Sequence, residues 1–143
     1  MSNPQLDHLY QVFELYDDWS DRYRHLLELA KDLAPIGDDE RIEENRVTGC
    51  LSQVWLIAEP ASAGEGGDVM VFRADSDARL VQGLIAVILM LYSGRSASYV
   101  LQTDAREVFA RLGLDNHLSV GRRNGVESMI QRIKALAQIR LEA

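Results

Sequence analysis

The chain is 143 residues long, with 47% hydrophobic and 26% charged residues, the size and balance of one globular domain, residues 1–143, that folds without a disulfide or a metal. A formal net charge of −7 argues against a general nucleic-acid binder, which needs cations to neutralise phosphates. The single cysteine cannot form an internal disulfide, and His8, His25 and His117 are too scattered for zinc-ligand spacing.

The N-terminus has neither the basic start nor the apolar core of a secretory signal, and cytoplasm is the expected compartment. Charge is uneven along the chain. Residues 1–45 carry twelve acids and four bases, whereas residues 120–143 carry two acids and five bases. Such asymmetry suits a protein partner, or simply two helices that face each other.

In chain order, Asn3-Pro4 opens a helix as N-cap and first-turn proline. Leu6, Leu9, Tyr10 and Phe13 share one face of it. Asp17 and Asp18 start a second helix, whose stripe is Trp19, Tyr23, Leu26, Leu27, Ala30 and Leu33. Pro35-Ile-Gly37 ends it. Residues 38–45 are a charged linker, read either as a solvated loop or as a docking surface for a basic partner.

Strand signals come next. Arg46-Val47-Thr48 reads as a short strand, residues 54–58 as a second and residues 68–74 as a third. The glycine-rich stretch from Pro60 to Gly67 connects the last two and lacks any phosphate-loop pattern. Asp75-Ser-Asp77 is expected to cap a helix over residues 78–92. Its run from Leu84 to Tyr92 is about half a membrane span and apolar nearly all round, so it should be the central core helix. Two short helices span Ser96 to Leu101 and Asp104 to Leu112. A last helix runs from near Ser119 to about Leu141, with Val126, Met129, Ile130, Ile133, Leu136, Ala137 and Leu141 as its stripe. The order predicts an α+β fold: a small three-stranded antiparallel sheet flanked by helices.

The chemistry centres on Cys50. Gly49 before it permits a sharp turn, and residues 48–53 should form a loop between strand-like segments that displays the thiol. Ser52 and Gln53, like Thr48, are placed to hydrogen-bond that loop. Two readings stand, an inert buried thiol and a sulfur nucleophile. Arg122, in the first turn of the last helix, opposes the helix dipole. It either pairs with a surface carboxylate or awaits an anion. A Cys/His hydrolase would need a histidine in contact, and spacing nominates none beyond His117. Asp75 and Asp77 read as helix caps rather than as a carboxylate pair.

Three blocks then carry a resemblance over almost the whole chain. They are Val47-Thr-Gly-Cys-Leu-Ser-Gln-Val-Trp55; Asp75-Ser-Asp-Ala78 with Val81-Gln-Gly-Leu-Ile-Ala-Val87; and His117-Leu118, Arg122, Gly125 and Glu127-Ser-Met-Ile130. The chain resembles the SufE family of sulfur-acceptor proteins, which includes the closely related CsdE. The resemblance implies the fold of IscU-type scaffolds. It also implies that Cys50 takes sulfane sulfur, as a persulfide, from a SufS-type or CsdA-type cysteine desulfurase. The sulfur then passes to an iron–sulfur cluster scaffold, and the desulfurase turns over faster. Pyridoxal phosphate belongs to the desulfurase, and no cofactor, metal, nucleic acid or membrane is implied for this chain. Monomer and homodimer are both compatible. The resemblance places Gly49, Ser52, Gln53, Asp75 and Arg122 on the loop and partner surface, and suggests an apolar recess for the thiol, lined by Trp55 and the Leu84–Tyr92 helix. Arg123 and the Ala61–Gly67 loop depart from the family pattern and leave partner preference open. The alternative is a non-catalytic adaptor of a desulfurase, with Cys50 structural.

Overall fold

The computed structural model describes residues 3–49, 52–62 and 68–142. Helices α1 (Pro4–Glu14) and α2 (Trp19–Ala30) come first, then 3-10 turns at Asp38–Glu40 and Glu43–Asn45. Strands β1 (Val54–Ser62) and β2 (Asp68–Ser76) form an antiparallel pair. Helices α3 (Arg79–Tyr92), α4 (Ala97–Gln102), α5 (Ala105–Arg111) and α6 (Val120–Glu142) complete the fold.

The caps follow from the residues at the helix starts. Asn3 accepts from the Leu6 N–H and Asp18 from the Asp21 N–H, each satisfying an orphan donor of a first turn. Asp104 does the same for the Arg106 N–H and Ser119 for the Arg122 N–H. Helix α3 differs. The Ala78 N–H is taken by Ser76 Oγ at 3.2 Å, while Asp75 and Asp77 bond elsewhere. Both aspartates are thus released from the capping role expected of them.

The α3 helix is the hub. Leu84, Ile85, Val87, Ile88 and Tyr92 are each at most 2% exposed, so the helix is covered on all sides. The inner face of the hairpin, Val54, Leu56, Met70, Phe72 and Ala74, is buried with it in one core cluster. Leu9 and Phe13 of α1, Leu26 of α2, and Met129, Ile133 and Ala137 of α6 join the same cluster. Leu141 does not: it is 52% exposed, because the last turn of α6 projects past the core that Ala137 still reaches.

The sheet has two strands among the described residues. The third strand expected at Arg46–Thr48 is reduced to one bridge, Arg46 to Trp55, with the Val47 N–H donating to the Val54 carbonyl at 2.9 Å. The ladder goes no further because Gly49 turns at φ +91°, outside the extended region. The Pro60–Gly67 connection lies partly beyond the described residues.

The charged linker is docked on the outer face of the hairpin. Arg73 of β2 pairs with Glu40 at 2.5 Å and with Glu59 at 2.6 Å. The Gly37 N–H also donates to Glu40. The Arg73 hydrogen bond, chiefly, holds the Glu40 carboxyl down at about 2, from an ordinary 4.5. A depressed carboxylate stabilises the fold above its unfolded pKa and loses that contribution as pH falls through its folded one. The native protein should therefore lose part of its stability between about pH 4.5 and pH 2 through this group. Glu40→Gln should lose less over that window. Melting curves taken across it test this, and parallel curves for the two proteins would refute the assignment.

Candidate functional site

Cys50 and Leu51 lie outside the described residues, so the site is built from the shoulders of their loop. On the entry side, Gly49 is exposed at φ +91°, a conformation that L side chains rarely adopt. A Cβ there would lie 2.5 Å from Ser128 Oγ, which sets the loop entry against α6. On the exit side, Gln53 is held by a reciprocal pair. Its N–H donates to Asp77 Oδ1 at 3.1 Å, and the Asp77 N–H donates to its carbonyl at 3.3 Å. The cysteine loop is thereby tied to the junction between β2 and α3.

Asp77→Ala removes one acceptor of this pair. An exposed hydrogen bond of this kind contributes about 1 kcal/mol. The expected result is a small loss in chemical-denaturation stability and faster hydrogen exchange at the Gln53 amide; an unchanged exchange rate would show that the tie is not what orders the loop exit.

Ser52, on the exit side of the loop, lines a cavity of about 240 Å³. Its apolar walls come from three elements: Val54 of β1, Val81 and Leu84 of α3, and Val126 and Met129 of α6. Its polar lining includes Ser52, Ser119 and Arg122. Ser52 is half-buried and Arg122 exposed. Gly121 and Gly125 leave the α6 wall thin on that side. Trp55 is not part of the recess. Strand alternation turns it to the opposite face from buried Val54, where the Arg41 guanidinium lies 4.9 Å above its ring. Leu84 alone of the expected Leu84–Tyr92 segment reaches the cavity, since the residues after it turn into the core.

Asp75 sits beside Trp55 in register, on the outer face. Its Oδ2 accepts from Arg41 Nη2 at 2.6 Å and its Oδ1 from Gln82 Nε2 at 2.9 Å. Gln82 also donates to the Ser76 carbonyl. Asp75 is thus the post that ties linker, strand and helix together behind the site. His117 stacks on Trp19, with ring centroids 4.3 Å apart and planes 9° from parallel.

The structure therefore brings Ser52 and Arg122 to one recess, sets Gly49 against Ser128 and ties Gln53 to Asp77, and places Asp75 on the outer face of the sheet. Sequence reasoning missed Arg41, Asp77, Gln82 and Ser128 as parts of this frame. Asp77 was visible in the Asp75-Ser-Asp77 motif; that its acceptor would serve Gln53, far off in sequence, was not. Among the described residues, no group of three His, Cys, Asp or Glu side chains is placed to hold a metal ion. Among the same residues, no helix is long and apolar enough to cross a membrane.

The geometry defines an α+β protein in which Ser52, just after Cys50 in the chain, lines a partly apolar recess. The fold is shared with a solved protein: the solution structure of a hypothetical protein from Thermus thermophilus superposes with a TM-score of 0.72, covering 100% of both chains at 22% identity. The SufE family model, described as an Fe-S metabolism associated domain, matches residues 7–137. An uncharacterized SufE-like protein of Rhizobium etli is 44% identical over 96% of this chain and 93% of its own length. Another, from Rhizobium meliloti, is 43% identical over 96% of this chain and 98% of its own length. The chain belongs to the SufE family, and its domain is one associated with iron–sulfur metabolism.

Proposed function

We propose that this protein is a cytoplasmic sulfur carrier that accepts sulfane sulfur on Cys50 from a pyridoxal-phosphate cysteine desulfurase of the SufS or CsdA type. It stimulates that enzyme by clearing its persulfide and passes the sulfur on to an iron–sulfur cluster scaffold. The observation that carries this reading is the recess that Ser52, two residues after Cys50, lines together with β1, α3 and α6, apolar in its walls and cationic at Arg122.

The transfer needs no external oxidant. The Cys50 thiolate attacks the terminal sulfur of the donor persulfide, forming a new S–S bond as the old one breaks. The donor cysteine leaves as a thiolate, and the oxidation level of the sulfur pair is conserved. A free thiol has a pKa of about 8.5, and a nearby cation favours its ionised form. Arg122 supplies such a cation. The apolar walls would keep a loaded persulfide away from competing thiols until a partner draws it out. Within this scheme the chain binds no cofactor of its own, since pyridoxal phosphate does its chemistry in the donor.

The direct test is intact-mass measurement after incubation with a cysteine desulfurase and cysteine. The expected product is a reductant-labile gain of one sulfur, mapped to Cys50. Stimulation of the desulfurase without any gain in mass would favour an adaptor instead.

A further inference from the structure

Gly49 is held to glycine from two sides. Its φ of +91° is one that L side chains rarely adopt. Independently, a Cβ there would lie 2.5 Å from Ser128 Oγ and 3.4 Å from Ser128 Cβ. The serine hydroxyl thus fills the place that a side chain at residue 49 would take. The dihedral does not create that second demand: Gly94 has a comparable φ of +78°, with nothing within 4 Å of an added Cβ. Ser128 is half-buried in the interior of α6. Alanine is the better helix former at such a position, and an interior serine commonly turns its hydroxyl to the carbonyl one turn back. Among the described residues the Ser128 hydroxyl has no hydrogen-bond partner. What it has is the contact with Gly49. The same helix supplies Arg122, Val126 and Met129 to the recess. Arg122 is roughly 9 Å from Ser128 along the helix axis, so α6 holds the contact with Gly49 and the recess at a fixed spacing.

We infer that Ser128 is a positioning residue for the sulfur transfer proposed above, on which this inference rests. Its hydroxyl is the stop that fixes the backbone at Gly49, and so the point from which the chain enters Cys50. A misplacement of about 1 Å slows a reaction by up to about a hundredfold, so a stop one residue from the nucleophile governs rate without touching sulfur. It acts once the donor has bound, and therefore on the rate at saturating donor rather than on affinity.

The test is a double-mutant cycle on the full chain, read by intact mass in single-turnover loading from a saturating cysteine desulfurase that carries its persulfide. Gly49→Ala should load about tenfold more slowly than the native protein, and Ser128→Ala about threefold more slowly. Combining them should restore rate rather than compound the loss. The added methyl group takes the place of the missing hydroxyl and leaves only the 3.4 Å contact with the Cβ of residue 128. The double variant should therefore load about threefold faster than Gly49→Ala alone. In all three variants the final gain should stay at one sulfur per chain, whereas a mere loss of folded protein would lower it. Native protein that gains no sulfur would refute the carrier reading itself. Native loading with a double variant as slow as Gly49→Ala, or slower, would show that only the dihedral matters at residue 49 and would overturn the role of Ser128. Variant rates that return to the native one as the desulfurase is raised to saturation would make the contact one of affinity and overturn it as well.

Discussion

Replacing Cys50 by alanine should abolish sulfur uptake from a cysteine desulfurase and, with it, the stimulation of that enzyme. Cys50 is the only cysteine in the chain, so no second thiol can take the sulfur over. Cys50→Ser is the stricter version. It keeps the size and polarity of the side chain, but a hydroxyl is a far weaker nucleophile at neutral pH than a partly ionised thiol. Both variants should show no gain in mass after incubation with desulfurase and cysteine. Desulfurase turnover should fall to the rate seen without this protein. Circular dichroism and gel filtration of each variant establish that the fold is retained. If either variant stimulates turnover as the native protein does, the relay is wrong and an adaptor that works through surface contact alone takes its place.

The features legible in the sequence divide from the rest along physical lines. Helix stripes were legible because one face of each helix is set by spacing alone, as Leu6, Leu9 and Phe13 or Met129, Ile133 and Ala137 illustrate. Leu141 fits the same spacing yet is exposed, because periodicity does not say where the core ends. The short β run at Arg46–Thr48 has the right residues, but pairing depends on the path of the chain beyond it, and Gly49 turns away after one bridge. Asp75 and Asp77 have the composition of caps. Their acceptors are claimed instead by Arg41, Gln82 and the Gln53 amide, partners fixed only by tertiary packing. The SufE motif points to Cys50, which lies outside the described residues, and to Arg122, which lines the recess. It could not give the walls of the recess, because these come from β1, α3 and α6, which are distant in sequence. Trp55 was assigned to the wrong side for the same reason. A strand places neighbours on opposite faces, and the choice of face awaits the buried partner, here Val54.

Gly83→Ala should destabilise the protein, although alanine is the better helix former. In an isolated helix the change would favour folding by about 1 kcal/mol. Here Gly83 is buried where α3 crosses α2, and a Cβ would collide with the Leu26 carbonyl oxygen and lie 2.8 Å from the carbonyl carbon. These are backbone atoms, so no rotamer change relieves the contact. Helix α2 has to move away, and Leu26, fully buried, moves with it. Overpacking of a core costs about 1–3 kcal/mol, and a backbone contact belongs at the upper end. The net loss is about 2 kcal/mol, or roughly 8 °C in Tm at about 4 °C per kcal/mol for a chain of this size. Gly94→Ala is the contrast. Gly94 also requires a glycine conformation, at φ +78°, but nothing lies within 4 Å of its added Cβ. It should cost only the backbone strain, about 1 kcal/mol. If Gly83→Ala melts at or above the native temperature, the close crossing of α2 and α3 is not a constraint on the fold. The change also reaches the site. Val81 and Leu84, on either side of Gly83, wall the recess, so a shift of α3 alters that cavity. Sulfur transfer to an intact Cys50 should slow in Gly83→Ala and stay near the native rate in Gly94→Ala.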